Sequence, residues 1–194
     1  MLFGRNRKED HFLKQAILGE REGFEYLVKT YQNLAYTLAI KICGNSEDAE
    51  EVVQDAFMKA FKALASFRNS SKFSTWLYRI VYHTALTKKT SRRMVSEELN
   101  EQSGAVGYLL DEKKELETLV HTDLKKYINL ALIQLSEEER AVVTLHYLGE
   151  KSTSEIAEVL DLGKSAIKMR LMRGRKKLEE SLKELLGEEL KDLL

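Results

Sequence analysis

The chain has 194 residues, 31 Lys or Arg against 31 Asp or Glu, no Pro and a single Cys, which suits one helical, water-soluble domain or two small ones. Cys43 by itself excludes an internal disulfide and a thiolate metal cluster, and no run of residues nears the ~20 apolar positions of a membrane span. The opening MLFGRNRKEDHF has no apolar core of signal-peptide length, so a cytoplasmic location without membrane insertion is expected.

Helical periodicity dominates from the start. Phe24, Leu27, Val28, Tyr31, Leu34, Ala35, Leu38, Ala39 and Ile42 fall at three- and four-residue steps and predict a first long helix. Gly44 supplies its stop, and Asn45 or Ser46 caps the next helix, whose core stripe is Ala49, Val52, Val53, Ala56, Phe57, Ala60, Phe61 and Leu64. Residues 45–55 carry five acids and no base. Asp48, Glu51 and Asp55 share one face, with Gln54 beside them and Met58 one turn on. Carboxylates at a helix start complement its dipole, which accounts for Glu47 and Asp48 but poorly for Asp55. A docking face for an oppositely charged protein fits better. A divalent ion would need further oxygens from a loop or a second helix, and none is evident.

Ser66–Lys72 reads as a loop, and a third helix is expected from near Phe73 to about Lys89. Residues 56–96 hold nine Lys or Arg and no acid, interleaved with aromatic rings. On the third helix Trp76, Leu77, Ile80, Val81 and Thr84 group on one side, expected to be core. Tyr78, Arg79, Tyr82, Leu86 and Lys89 point the other way, with His83 at the border. Exposed rings beside cations can stack on unpaired bases. His11, His83, His121 and His146 are scattered, so neither a metal, a cofactor nor a catalytic base is expected.

Periodicity lapses from Met94 to about Leu110, and residues 97–123 carry eight acids and two bases; this reads as a mobile acidic linker. Helical pattern resumes with Leu124, Ile128, Leu132 and Leu135. Ser136–Glu139 and Ser152–Glu155 are capping boxes, opening one helix that Gly149 ends and a second, short one. The turn Asp161-Leu162-Gly163 then leads into a basic helix. Short helix, tight turn and second helix form a helix-turn-helix. From Lys164 to Leu178 there are seven bases and no acid. Ile167, Leu171, Gly174 and Leu178 form the apolar back. Ser165, Met169, Met172, Arg173 and Lys176 lie opposite, and Lys168, Arg170, Arg175 and Lys177 flank them, as reading a DNA groove requires. Gly174 costs about 1 kcal/mol relative to Ala, and close helix packing is the expected reason. The expected limits are a first domain over 1–93, the linker over 94–121 and a second domain over 122–194 that ends in an acidic tail.

Two strings carry a family resemblance. GNSEDAEEVVQDAFMKAFKALASFRNSSKFSTWLYRIVYHTAL resembles domain 2 of the extracytoplasmic-function (ECF, group IV) sigma factors, and LSEEERAVVTLHYLGEKSTSEIAEVLDLGKSAIKMRLMRGRKKL resembles their domain 4. The resemblance implies an all-α protein of two helical domains that is a dissociable specificity subunit of bacterial RNA polymerase and not an enzyme. It implies that Asp48, Glu51, Gln54, Asp55 and Met58 dock on the clamp helices of the polymerase's largest subunit. It also implies contact with the flap of the second-largest subunit and control by an anti-sigma factor. The loop Phe67, Arg68, Asn69, Ser70, Ser71 and Lys72, with Tyr78, Arg79, Tyr82 and His83, matches the part that captures a flipped base of the −10 promoter element. Lys164, Ser165, Ala166, Lys168, Met169, Arg170, Met172, Arg173, Lys176 and Lys177 match the reader of the −35 element. The chain departs from the family pattern at His83, Thr87, Lys89, Thr90, Ser165, Ala166 and Met169, all where DNA is read. On the residues alone, a one-component regulator with a helical sensing domain and the same helix-turn-helix stays open as the alternative.

Overall fold

The computed structural model describes residues 7–68, 70–99 and 127–186. They form two compact helical units, one on either side of residues 100–126. The expected linker lies mostly outside the described residues, as do Asn69 and the acidic tail beyond residue 186.

The N-terminal unit contains α1 (Arg7–Ile17), α2 (Arg21–Cys43), α3 (Ser46–Ala63), a 3-10 turn at Leu64–Ser66 and α4 (Phe73–Leu99). Helix α2 packs against α1, α3 and α4. Leu27, Leu38, Ile42, Val52, Leu64, Leu77 and Val81 fill the core, while Ala35, Ala39, Ala49, Ala56, Ala60 and Ala85 are fully buried where helices meet. Small residues at such contacts let helix axes approach closely. Gly44 ends α2 in the left-handed conformation, φ 83°, and the Asn45 side chain accepts from the Asp48 amide to cap α3, both as the sequence predicts. Gly23 is a packing device that the periodicity did not reveal. A Cβ there would lie 2.3 Å from the Ala16 backbone nitrogen and 2.6 Å from the Phe12 carbonyl oxygen.

Helix α4 runs ten residues beyond its expected end near Lys89 and crosses the expected domain limit at 93/94. No Gly lies between Gly44 and Gly104, and the chain has no Pro, so nothing stops it. Its hydroxyls fold back onto the helix: Thr87 donates to the His83 carbonyl and Thr90 to the Leu86 carbonyl, both at 2.9 Å. Hydroxyls bonded in this way do not compete for a non-helical backbone.

The C-terminal unit contains a helix at 127–133 (α5), α6 (Glu137–Tyr147), α7 (Thr153–Leu160) and α8 (Lys164–Leu186). Leu145, Ile156, Ile167, Val142 and Val159 form its core. Both expected capping boxes are formed. Arg140 closes the C-terminus of α5: Nε donates to the Leu132 carbonyl and Nη2 to those of Ile133 and Leu135, each at 2.9 Å. The left-handed residues are Glu150 (φ 50°) and Asp161 (φ 58°), not the neighbouring Gly149 and Gly163. Gly163 instead accepts from the Ile167 amide at the start of α8.

Candidate polymerase and nucleic-acid interfaces

The acidic start of α3 is already engaged. Asp48 Oδ2 accepts from Asn45 Nδ2 at 2.7 Å and from Arg92 Nη1 at 2.5 Å, and Lys88 Nζ lies 3.8 Å from Oδ1. Lys88 also reaches Glu51 at 2.5 Å. Burial alone would raise the Asp48 carboxyl, but Asn45, Arg92 and Lys88 outweigh it and hold the group below the usual Asp range. Asp48 and Glu51 thus tie α3 to the basic end of α4. Asp48 is half-buried in this cluster, while Glu51 remains exposed. Gln54, Asp55 and Met58 are exposed. Gln54 also lines a groove of about 570 Å³ between α2 and α3, with Gln32, Asn33, Tyr36, Thr37, Glu50 and Val53. The α2 residues lie off the apolar stripe of that helix. Their signal is polar side chains recurring at i, i+1, i+4 and i+5.

The expected orientation of α4 is reversed for its rings. Tyr78 and Tyr82 are buried, at 3% and 4% exposure, whereas Trp76 is half-buried. Tyr78 packs edge-on against Tyr31, whose hydroxyl bonds Glu9 of α1. Neither Tyr offers the open face that stacking on a base needs. The reason is that α4 contacts both α2 and α3, so its buried arc is wide and takes in Phe73, Ser74, Thr75, Leu77, Tyr78, Val81, Tyr82, Thr84 and Ala85. The remaining outward stripe, at helical spacing, is Trp76, Arg79, Ile80, His83 and Thr87, of which Arg79, His83 and Thr87 are exposed. Phe67 is also buried. It packs on Trp76 at 5.1 Å and on Phe73 at 5.9 Å between ring centres, pinning the loop from beneath. Arg68, Ser70 and Lys72 are exposed, and Ser71 is half-buried.

On α8 the apolar back forms as expected, with Ile167, Leu171 and Gly174 buried. A Cβ on Gly174 would come within 2.8 Å of Val143 Cγ2, which explains the glycine. The basic residues fall into two groups. Arg170 pairs with Glu138, Nε to Oε2 at 2.5 Å, and Lys177 with the buried Glu139 at 2.7 Å. These two pairs tie α8 to α6; Ala166 is half-buried on the same flank. Lys176 lies 3.7 Å from Glu180, one turn along the helix. Lys164, Lys168 and Arg173 are exposed and form no ion pair among the described residues. Between them stand Ser165, Met169 and Met172, also exposed.

Comparison with known proteins assigns both units. The family model of sigma-70 region 2 matches residues 27–94, and that of sigma-70 region 4 matches residues 125–178. The chain belongs to the ECF group of sigma-70 RNA polymerase sigma factors. It is 31% identical over 179 residues to the ECF RNA polymerase sigma factor SigW of Bacillus subtilis, covering 89% of this chain and 96% of that one. It is also 31% identical over 176 residues to the ECF RNA polymerase sigma-E factor of Escherichia coli, covering 87% and 91%. Among solved structures, CnrH in complex with the cytosolic domain of CnrY is similar at a TM-score of 0.65 with 25% identity, covering 90% of this chain and 96% of that one. Sigma factor RpoE of Bartonella quintana in complex with the anti-sigma factor NepR shares the fold, at 0.66 with 24% identity over 82% of this chain and 96% of that one. As an ECF sigma factor the chain binds core RNA polymerase and promoter DNA and is a non-catalytic subunit. Region 2 followed by region 4 also displaces the one-component regulator. Among the described residues no helix is long and apolar enough to cross a membrane.

Proposed function

We propose that this sigma factor docks on the clamp helices of the largest polymerase subunit through Gln54, Asp55 and Met58 and the adjoining α2–α3 groove, and meets the flap of the second-largest subunit through its C-terminal unit. It holds the −10 element with Arg68, Ser70, Ser71, Lys72, Trp76, Arg79, His83 and Thr87, and reads the −35 element with Lys164, Ser165, Lys168, Met169, Met172, Arg173 and Lys176. The domain limits follow the two units, with the break after α4. An anti-sigma factor is a further partner, supported by the solved complex of the Bartonella relative.

Reading and opening are separate tasks on separate units. In a major groove, arginine forks onto guanine and methionine packs on a thymine methyl, while lysines at the sides take phosphates. Opening requires a base to leave the stack, at a cost of a few kcal/mol. An aromatic face returns about 1–3 kcal/mol per base, and Trp76 beside Arg79 is the ring placed to supply it. The observation that supports the proposal is the sorting of bases on α8: Arg170 and Lys177 are ion-paired to α6, and Lys164, Lys168 and Arg173 on the outward side form no ion pair among the described residues.

The test is run-off transcription with core polymerase on a promoter library. Arg173→Ala should weaken −35 binding and relax base choice at one position by about 1–3 kcal/mol. Arg170→Ala should instead lower thermal stability and leave base choice intact. Uniform weakening by Arg173→Ala on every sequence would reassign it to a phosphate, and a wild-type chain that directs no start site would end the proposal.

A further inference from the structure

Arg175 is one of the cations flanking the reader face of α8, and no contact has been assigned to it above; it is held by two rings of α6. Its guanidinium carbon lies 5.4 Å from the centre of the Tyr147 ring, and its Nη2 lies 3.4 Å from His146 Nε2. His146 and Tyr147 are the last two residues of α6, and their rings meet edge-on at 5.0 Å. The other imidazole nitrogen, Nδ1, is 3.1 Å from the Lys151 carbonyl oxygen. A carbonyl only accepts, so Nδ1 carries the proton, and Nε2 turns its lone pair to Arg175.

Arg175 is exposed and makes no ion pair among the described residues. It differs from Arg170 and Lys177, whose charges are met by Glu138 and Glu139. A ring face and an imidazole fix a long side chain without cancelling its charge. Arg175 follows Lys164 and Lys168 by whole helical turns and so lies on their flank, beside the stripe of Ser165, Met169 and Met172 and away from the two internal ties. An arginine preset at the side of a groove-reading helix suits a backbone phosphate, which it can take bidentately.

We infer that Arg175 is an additional phosphate contact of the −35 reader, and that His146 and Tyr147 are positioning residues that hold its guanidinium ready for that phosphate. This rests on the reading of α8 as the −35 reader. The anchor is blind to sequence and fixes the register of α8 on the duplex.

The test uses the full chain on core polymerase and a promoter duplex selected from a randomised library by the wild-type holoenzyme. Affinity is measured across a salt series. Arg175→Ala should reduce the salt slope by about one and weaken binding by the same factor on duplexes with a scrambled −35 element. His146→Ala and Tyr147→Ala should weaken binding in the wild-type background and add nothing on top of Arg175→Ala. Tyr147→Phe, which keeps the ring, and His146→Gln, which puts an acceptor near the place of Nε2, should restore binding. An unchanged salt slope in Arg175→Ala, with normal promoter binding by the wild type, overturns the inference alone. So does a His146→Ala loss that adds in full to Arg175→Ala, since that marks a merely structural histidine. A wild-type holoenzyme whose promoter choice is indifferent to the −35 sequence overturns the reading of α8 along with it.

Discussion

Asp48 and Asp55 are two turns apart on one helix face, yet their surroundings give them different work. Asp48 is 14% exposed and bridged to Arg92 and Lys88, whereas Asp55 is exposed. Charge reversal should separate them: Asp55→Lys reduces capture of core polymerase in a pull-down with little change in melting temperature, while Asp48→Lys lowers the melting temperature. The acid sensitivity of Asp48 has a definite sign. Its carboxyl is held below the ordinary value of 3.8 in the folded chain, so the ionised form stabilises the fold above that pH, and the contribution is lost as pH falls through the lower folded value. The stability gap between wild type and Asp48→Asn, followed by urea unfolding, should be full near neutrality and shrink below about pH 4. A gap that widens on acidification would remove the bridge from the account. The sequence showed the acids and the bases but not that they meet each other, because Asp48 and Arg92 are 44 positions apart and no local periodicity links them.

Helices and their junctions were legible where a stop or cap is local. Gly44, Asn45, Ser136 and Ser152 act where their chemistry predicts. The end of α4 was not legible, since ion pairs from Lys88 and Arg92 to α3 hold the helix beyond its apolar stripe. Nor was the crossing of α1 and α2, which depends on backbone atoms approaching Gly23. A methyl group there meets main-chain atoms at 2.3 and 2.6 Å that no rotamer change can move. Gly23→Ala should therefore destabilise the N-terminal unit by about 1–3 kcal/mol or more, although alanine is the better helix former by about 1 kcal/mol. Thermal melting of the variant checks this, and a gain in stability would mean that α1 is not seated on α2 in solution.

At the scale of the whole molecule, binding energy replaces chemistry. On the proposed reading, strand separation draws on contacts formed with DNA. Opening of the −10 region, followed by a fluorescent base analogue in the absence of any nucleotide, is expected with the wild-type holoenzyme. Trp76→Ala should reduce the open fraction by the loss of one stacked base, about 1–3 kcal/mol, and leave closed-complex affinity nearly unchanged. Tyr82→Ala, at a buried ring, should act on thermal stability instead. Equal loss of opening from both variants would return the role to the tyrosines.

The sequence by itself determined the helical class, the two basic modules, the helix-turn-helix and the family, because each rests on residues close in the chain or on motifs of fixed spacing. Only the tertiary structure decided which charges are free and which rings are open. Exposure is a property of what packs against a helix from elsewhere, and α4 and α8 each present to solvent what their neighbours leave uncovered.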